Sequence, residues 1–279
     1  MLGILYGVLA AMLPVVSLFG WVWIFTRFFP YARKKFTKVV FLKDADRTLY
    51  YIMLGMIPIF FLTGSMVSAG LSIVGEGMFM VFVYIFDNSM SAPSQVIGLM
   101  SAGPIEESMK LLVAALIYMT IYLIWKKVPL EKQKRVNRDT VKDGLVIGVF
   151  AGASFGFLES LLYLFSNFTQ LATDGFTFGI IDPIIWRFVL GVMVHALYTG
   201  IASAGLGRKT TGAKVAVTTA ALGLATVLHA LNNGIQGYII LILEMDNLRG
   251  WIISDILQGA LILIGIAAFI FAWKTSRKF

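Results

Sequence analysis

The chain has 279 residues, 58% of them hydrophobic and 14% charged, with a formal net charge of +8 and a mean hydropathy of +0.84. That balance excludes a soluble globular domain, and repeated apolar runs of about 20 residues imply a polytopic membrane protein. Nucleic-acid binding is excluded by where the charge sits, because all but three of the 23 basic residues fall in four clusters, Arg27–Arg47, Lys126–Lys142, Arg208–Lys214 and Lys274–Lys278.

Basic clusters of this kind mark cytoplasmic loops and attract anionic lipid headgroups. Backbone hydrogen bonding in lipid leaves helices or closed barrels, and no run here alternates with a period of two. The expected fold is therefore all-α: a polytopic transmembrane helix bundle of about seven helices, forming a single integral membrane domain over residues 1–279. No cysteine is present, so disulfides and a thiol nucleophile are excluded.

The first expected helix, about Leu2–Phe25, has no basic residue before Arg27, the reverse of a cleaved signal peptide. It is expected to be retained, with its N-terminus outside. Helix 2 starts near Leu49 and returns outward. Tyr50–Phe86 is long enough for two helices, eight in all, but a second crossing would move Lys126–Lys142 outside. One crossing plus a re-entrant or interfacial piece is expected instead, broken near Gly70, Gly75, Glu76 and Gly77. Helices near Val96–Trp125, Gly144–Phe165, Ile184–Leu206, Val215–Leu241 and Trp251–Trp273 complete seven crossings and leave the C-terminus cytoplasmic. Arg187 and Arg249 read as anchors at the outer interface.

Glu106-Glu107-Ser108-Met109-Lys110 plants three charges inside one of these apolar stretches. Ionised groups at membrane depth cost about 2.5–3.5 kcal/mol each on insertion scales, which makes them functional candidates. Glu159, His195, His229 and Asn233 lie inside three other apolar segments. At about 1.5 Å per residue, Glu106 is expected roughly 15 Å from the outer end of its helix. Glu159 is expected about six to nine residues from the outer end of its own, His195 about eleven, and His229 and Asn233 about eight to twelve, one layer in the outer half of the bilayer. Glu106 and Lys110 are i,i+4 on one face, in the favoured order. His229 and Asn233 share a face by the same spacing. Two adjacent carboxylates and one ammonium suit acid–base work. Gly103-Pro104 suggests an irregular start to the helix that carries them. The small residues Gly200, Ala202, Ser203, Ala204 and Gly205 suit close helix packing.

Neither H-E-x-x-H nor G-x-G-D occurs. Gly152-Ala153-Ser154-Phe155-Gly156 matches G-x-S-x-G but sits mid-helix, away from the strand-to-helix turn that motif needs. Glu106–Lys110 fits E-E-x-x-K, Phe155–Glu159 fits F-x-x-x-E, and His229–Asn233 fits H-x-x-x-N/D, with His195 between the last two. In this order the motifs resemble the PrsW family of intramembrane proteases. More distantly they are similar to the CAAX-prenyl-protease/bacteriocin-processing superfamily and the APH-1 subunit of γ-secretase. The resemblance covers roughly Pro104 to Gly234, within a motif-bearing core near 96–241. It departs at Glu159, where the wider superfamily tends to have His, and at Ser160, where PrsW-like sequences often have Asn.

The resemblance implies an intramembrane endopeptidase that cuts a membrane-protein substrate, such as an anti-sigma factor, in or near its transmembrane helix. Membrane lipids are the other expected partner. In the glutamic version, Glu106 is general base on a water, and Glu107 and Lys110 set its charge state. His195 and His229 polarise the carbonyl or protonate the amine, Asn233 donates to the oxyanion, and Glu159 orients a histidine. No cofactor is then needed. PrsW-like proteins are also labelled metalloproteases, and the alternative is Zn²⁺ on His195, His229 and Glu106. A non-catalytic APH-1-like scaffold and a proton-coupled transporter are the readings from other classes, though the inverted repeat of a transporter is not evident.

Overall fold

The computed structural model describes residues 12, 14–21, 23–25, 27, 47–126, 140–174, 186, 190–208, 210–245 and 248–276, with backbone alone at 47–60, 124–125, 140 and 164–174. Among these there is no strand. The helices are α1 (Arg47–Phe86), α2 (Ala92–Lys126), α3 (Thr140–Asp174), α4 (Val192–Ala202), α5 (Thr211–Gly237) and α6 (Leu248–Thr275). A 3-10 turn, Ser203–Gly205, extends α4, and a π turn, Tyr238–Ile242, extends α5. Residues 14–21 and 23–25 are also helical, and Leu18, Trp21 and Phe25 pack on the core. Residues 2–11, 13 and 22 of the expected first helix, and residues 184, 185 and 187–189 of the expected fifth, lie outside the described residues.

Among the described residues, four segments are long and apolar enough to cross a membrane: Phe61–Phe86, Val141–Tyr163, Thr211–Ile242 and Leu248–Thr275. The third is in place because Thr210 caps α5, its hydroxyl accepting from the Ala213 N–H at 3.2 Å. A little over half of the α3 window is buried (56%) against 11% for α1, so α3 runs through the centre and α1 along the perimeter. Perimeter side chains such as Met78, Phe86 and Phe271 are exposed and apolar, as a lipid-facing surface requires.

Two expected irregularities are absent. α1 runs unbroken through Gly70, Gly75, Glu76 and Gly77, so there is no re-entrant piece. Each helical glycine costs about 1 kcal/mol, but a break in lipid would strand several N–H and C=O groups at several kcal/mol each. Forty residues rise about 60 Å, twice a hydrocarbon core, and only the second half of α1 is the apolar span. Likewise Pro104 sits inside a continuous α2 rather than at an irregular start. Ser108 Oγ donates to the Pro104 carbonyl at 2.6 Å in the next turn.

α3 and α4 meet along glycines spaced by four, Gly144, Gly148, Gly152 and Gly156. A Cβ on Gly152 would collide with the His195 carbonyl, and one on Gly148 would lie 2.5 Å from the Thr199 carbonyl. Every α4 residue except Met193 is buried. α2 and α5 approach as closely at Gly103, where a Cβ would stand 2.6 Å from both the Thr226 oxygen and the Ala230 nitrogen. Small residues at these seams let the backbones come together and set the facing side chains within reach of each other.

The α1–α2 turn is organised by Asp87. Its carboxylate accepts from the backbone N–H of Ser89 (3.2 Å) and Ser91 (2.8 Å) and from the hydroxyls of Ser89, Ser91 and Ser94. Those serine hydrogen bonds, above all from Ser89 and Ser91, hold the Asp87 carboxyl well below the usual carboxylate range. Met90 takes a left-handed φ of 49° in this turn, and its carbonyl accepts from Gln95 Nε2 at 2.8 Å.

Candidate active site

α2 supplies Glu106, Glu107 and Lys110, α3 Glu159, α4 His195 and α5 His229, and these six side chains converge. Glu106, Glu107, Glu159 and His229 lie about 13–15 residues, or roughly 20 Å, from the Ala92 end of α2, the Asp174 end of α3 and the Ile242 end of the turn-extended α5. That is farther from those ends than the spacing predicts, because α2 and α3 are longer there than expected.

The adjacent glutamates have different surroundings. Glu107 is fully buried, with every partner inside the protein: Oε1 accepts from Lys110 Nζ (2.7 Å) and His229 Nδ1 (2.8 Å), and Oε2 from the Thr199 hydroxyl (3.0 Å). Glu106 Oε2 is also buried but makes no hydrogen bond. Lys110 Nζ is 3.0 Å from it, close enough for an ion pair yet off the line of a hydrogen bond. Lys110 is thus shared between both carboxylates, and its third polar neighbour is His195 Nδ1 at 2.8 Å. The Phe155 ring covers the ammonium at 4.3 Å from its centroid.

These partners assign the histidine tautomers. Lys110 has only protons to offer, so His195 Nδ1 accepts and its Nε2–H donates to Glu159 Oε2 at 2.5 Å. His229 donates through Nδ1 to Glu107, which leaves the Nε2 lone pair directed at Glu106 Oε2, 3.7 Å away. The two acceptors lie close enough for one water on the cavity side to bridge both. The imidazoles pack edge-on at 5.1 Å, and Tyr198 lies 5.9 Å from the His229 ring.

Glu106 Oε2, His195 Nδ1 and His229 Nε2 also form a donor set, with ligand atoms within 4.8 Å of one another. Each imidazole is backed on its far nitrogen by a carboxylate, Glu159 or Glu107, the usual support of a metal-binding histidine. The residues therefore fit a divalent cation by type and spacing. Lys110 Nζ, however, stands at hydrogen-bond or ion-pair distance from two of the three donors.

A cavity of about 960 Å³ reaches this cluster. Glu106, Glu159, His195 and His229 line its inner wall, and Ile73, Leu162 and Tyr163, all exposed, line its side toward the perimeter. Asn233 lies on the cavity wall and makes no hydrogen bond to the cluster. Glu76, expected only to mark a helix break, lines the same cavity, with its carboxyl within hydrogen-bonding reach of Glu106 and near Glu159. Its signal in the sequence was the same as that of Glu106, an ionisable residue at membrane depth. Thr199 was also missed, though it stands i,i+4 from His195.

No curated protein and no solved structure matches the chain. Residues 53–272 match the sequence model described as PrsW family intramembrane metalloprotease, and on that match over most of its length the chain belongs to the PrsW family of intramembrane proteases.

Proposed function

We propose that this intramembrane protease hydrolyses a peptide bond in or beside the transmembrane helix of a single-span membrane protein, using a water held between Glu106 and His229. The observation that carries the reading is the pair of acceptors Glu106 Oε2, ion-paired with Lys110 but making no hydrogen bond, and His229 Nε2, 3.7 Å apart at the cavity. A water there has both protons accepted, which turns its oxygen lone pair toward a bound carbonyl. On attack, Glu106 Oε2 takes one proton and the carbon becomes tetrahedral. Asn233, on the same wall, donates to the oxyanion. The hydroxyl of the tetrahedral intermediate gives its proton to His229 Nε2, which passes it to the leaving amine as the C–N bond breaks. Glu106 returns to the carboxylate by releasing its proton to the freed amine. Glu107 fixes the His229 ring through Nδ1, and Glu159 and Lys110 fix His195.

Lys110 favours this metal-free glutamic chemistry, because its ammonium holds the ground between Glu106 Oε2 and His195 Nδ1. The donor set supports a second version, in which Glu106, His195 and His229 hold Zn²⁺. Such an ion would supply Lewis acidity and an acidified water. Cleavage by purified protein separates the two. The glutamic version expects full activity after exhaustive chelation and no stoichiometric metal by elemental analysis, and loss on chelation with recovery on adding Zn²⁺ selects the other.

With the basic clusters inside, the polar layer faces the outer half of the bilayer, the N-terminus is outside and the C-terminus cytoplasmic. Membrane-protein N-termini should therefore be compared by mass spectrometry in cells making the intact protein or Glu106→Gln at equal folded levels. Cuts near outer-leaflet helix ends that vanish in the variant are expected. Unchanged cuts would end the role of Glu106.

A further inference from the structure

The cavity is larger than one water and one peptide bond require, and its outer part has a distinctive lining. Asn232 and Gln236 of α5, Gln95 of α2 and Gln258 of α6 all face it. His229, Asn232 and Gln236 are spaced i, i+3, i+7, one stripe running about 10 Å outward from the candidate site. Gln95 stands eleven residues, about 16 Å, before Glu106.

Carboxamides in a transmembrane bundle often join helices to each other. Here the geometry is different. Gln95 donates to the Met90 carbonyl just before its own helix, and Gln258 Nε2 donates to Ser254 Oγ, one turn back on α6, at 2.9 Å. Both bonds are local, so they fix the side chains without tying helices together. Asn232 Oδ1 is buried and has no hydrogen-bond partner among the described residues. An acceptor left so is destabilising, and a donor brought to it by a bound chain would recover that loss.

We propose that this carboxamide lining is a subsite for the main chain of an unwound stretch of substrate. The inference rests on the protease reading and extends it to the form in which the substrate is held. A helix in lipid keeps its peptide groups bonded internally, and exposing a scissile bond frees several N–H and C=O groups at once. A carboxamide carries the same donors and acceptor as a peptide group and no charge, so it replaces those bonds whatever the substrate's side chains are. About five extended residues cover the 16 Å from Glu106 to Gln95. The protein therefore selects segments by how readily they unwind more than by their sequence.

The test uses a synthetic single-span peptide of about 25 residues, built on a Glu106-dependent cut recovered from host membranes, with reconstituted full-length protein. Backbone esters, which lack one N–H, are scanned through the positions flanking the cut. Wild type should lose about tenfold in kcat/KM at the ester facing Asn232. Asn232→Leu should lose about tenfold on the all-amide peptide, mainly in KM, and nothing more on that ester. Gln236→Met, with a milder change of shape, provides the same cycle should Asn232→Leu fold poorly. Independent, additive losses, or variants with wild-type KM, overturn the subsite. Glu106→Gln in the same assay keeps the two ideas apart. If it is inactive while the amide variants behave as wild type, only the subsite falls. Full cleavage by Glu106→Gln, or no Glu106-dependent cut to build on, removes the reading beneath it.

Discussion

Behind the polar cluster, α3 and α4 touch backbone to backbone, with Gly152 against the His195 carbonyl; in front of it, the helices part around a cavity of about 960 Å³. Glu106 and Glu107 sit one residue apart on α2 yet belong to opposite sides of this divide. Glu107 points into the packed side, where three donors satisfy it. Glu106 borders the cavity with an oxygen unbonded. Position at depth is supplied by the seam and reactivity by the gap, and α2 carries one carboxylate for each.

The seam breaks first under added volume. Gly152→Val should leave no folded protein in detergent, because the colliding atom is backbone and has nowhere to go. Gly223→Ala, where a Cβ meets nothing within 4 Å, should gain about 0.5–1 kcal/mol. Equal behaviour of the two in size-exclusion and melting assays would deny the seam its role. Next in size, Glu107→Gln should destabilise by about 3–5 kcal/mol, since it leaves the buried Lys110 and His229 short of their acceptor. Glu106→Gln should melt close to wild type while losing cleavage, and a reversal of these two would invert the comparison.

The smallest effect lies outside the membrane span, at the turn. The folded-state carboxyl of Asp87 is depressed, so its stabilising contribution is complete above the unfolded value near pH 4 and is lost as pH falls toward the folded one. Asp87→Asn should lower the melting temperature slightly and by a constant amount above about pH 5, with the gap closing below about pH 4. A gap that persists in acid would mean that shape, not charge, holds this turn.

Much of this arrangement is written in local spacing. The apolar runs locate the helices, and the depth count puts Glu106, Glu159, His195 and His229 in one layer, because helical rise is fixed. The i,i+4 relation of Glu106 and Lys110 is also there, yet the shorter contact is Glu107–Lys110, i,i+3, at 2.7 Å. Spacing alone does not say which of two adjacent carboxylates faces inward; that depends on how α5 docks at Gly103. The glycines from Gly144 to Gly156 form a four-residue repeat, but in the sequence Gly152–Gly156 reads only as a G-x-S-x-G motif, set aside for lying mid-helix, and not as a packing seam. Glu76 was hidden by its glycine neighbours, which suggested a break where lipid enforces a helix.

Gly103 has a mechanical consequence. It presses α2 against α5 only three residues, about 4.5 Å of rise, before Glu106, whereas α2 ends about 16 Å away in one direction and 34 Å in the other. A rocking of α2 about that contact through about 5° would carry its ends roughly 1.5–3 Å but Glu106 less than about half an ångström. The reactive carboxylate sits beside the fulcrum of its own helix, so the ends can swing to admit a bulky visitor while the chemistry stays in register.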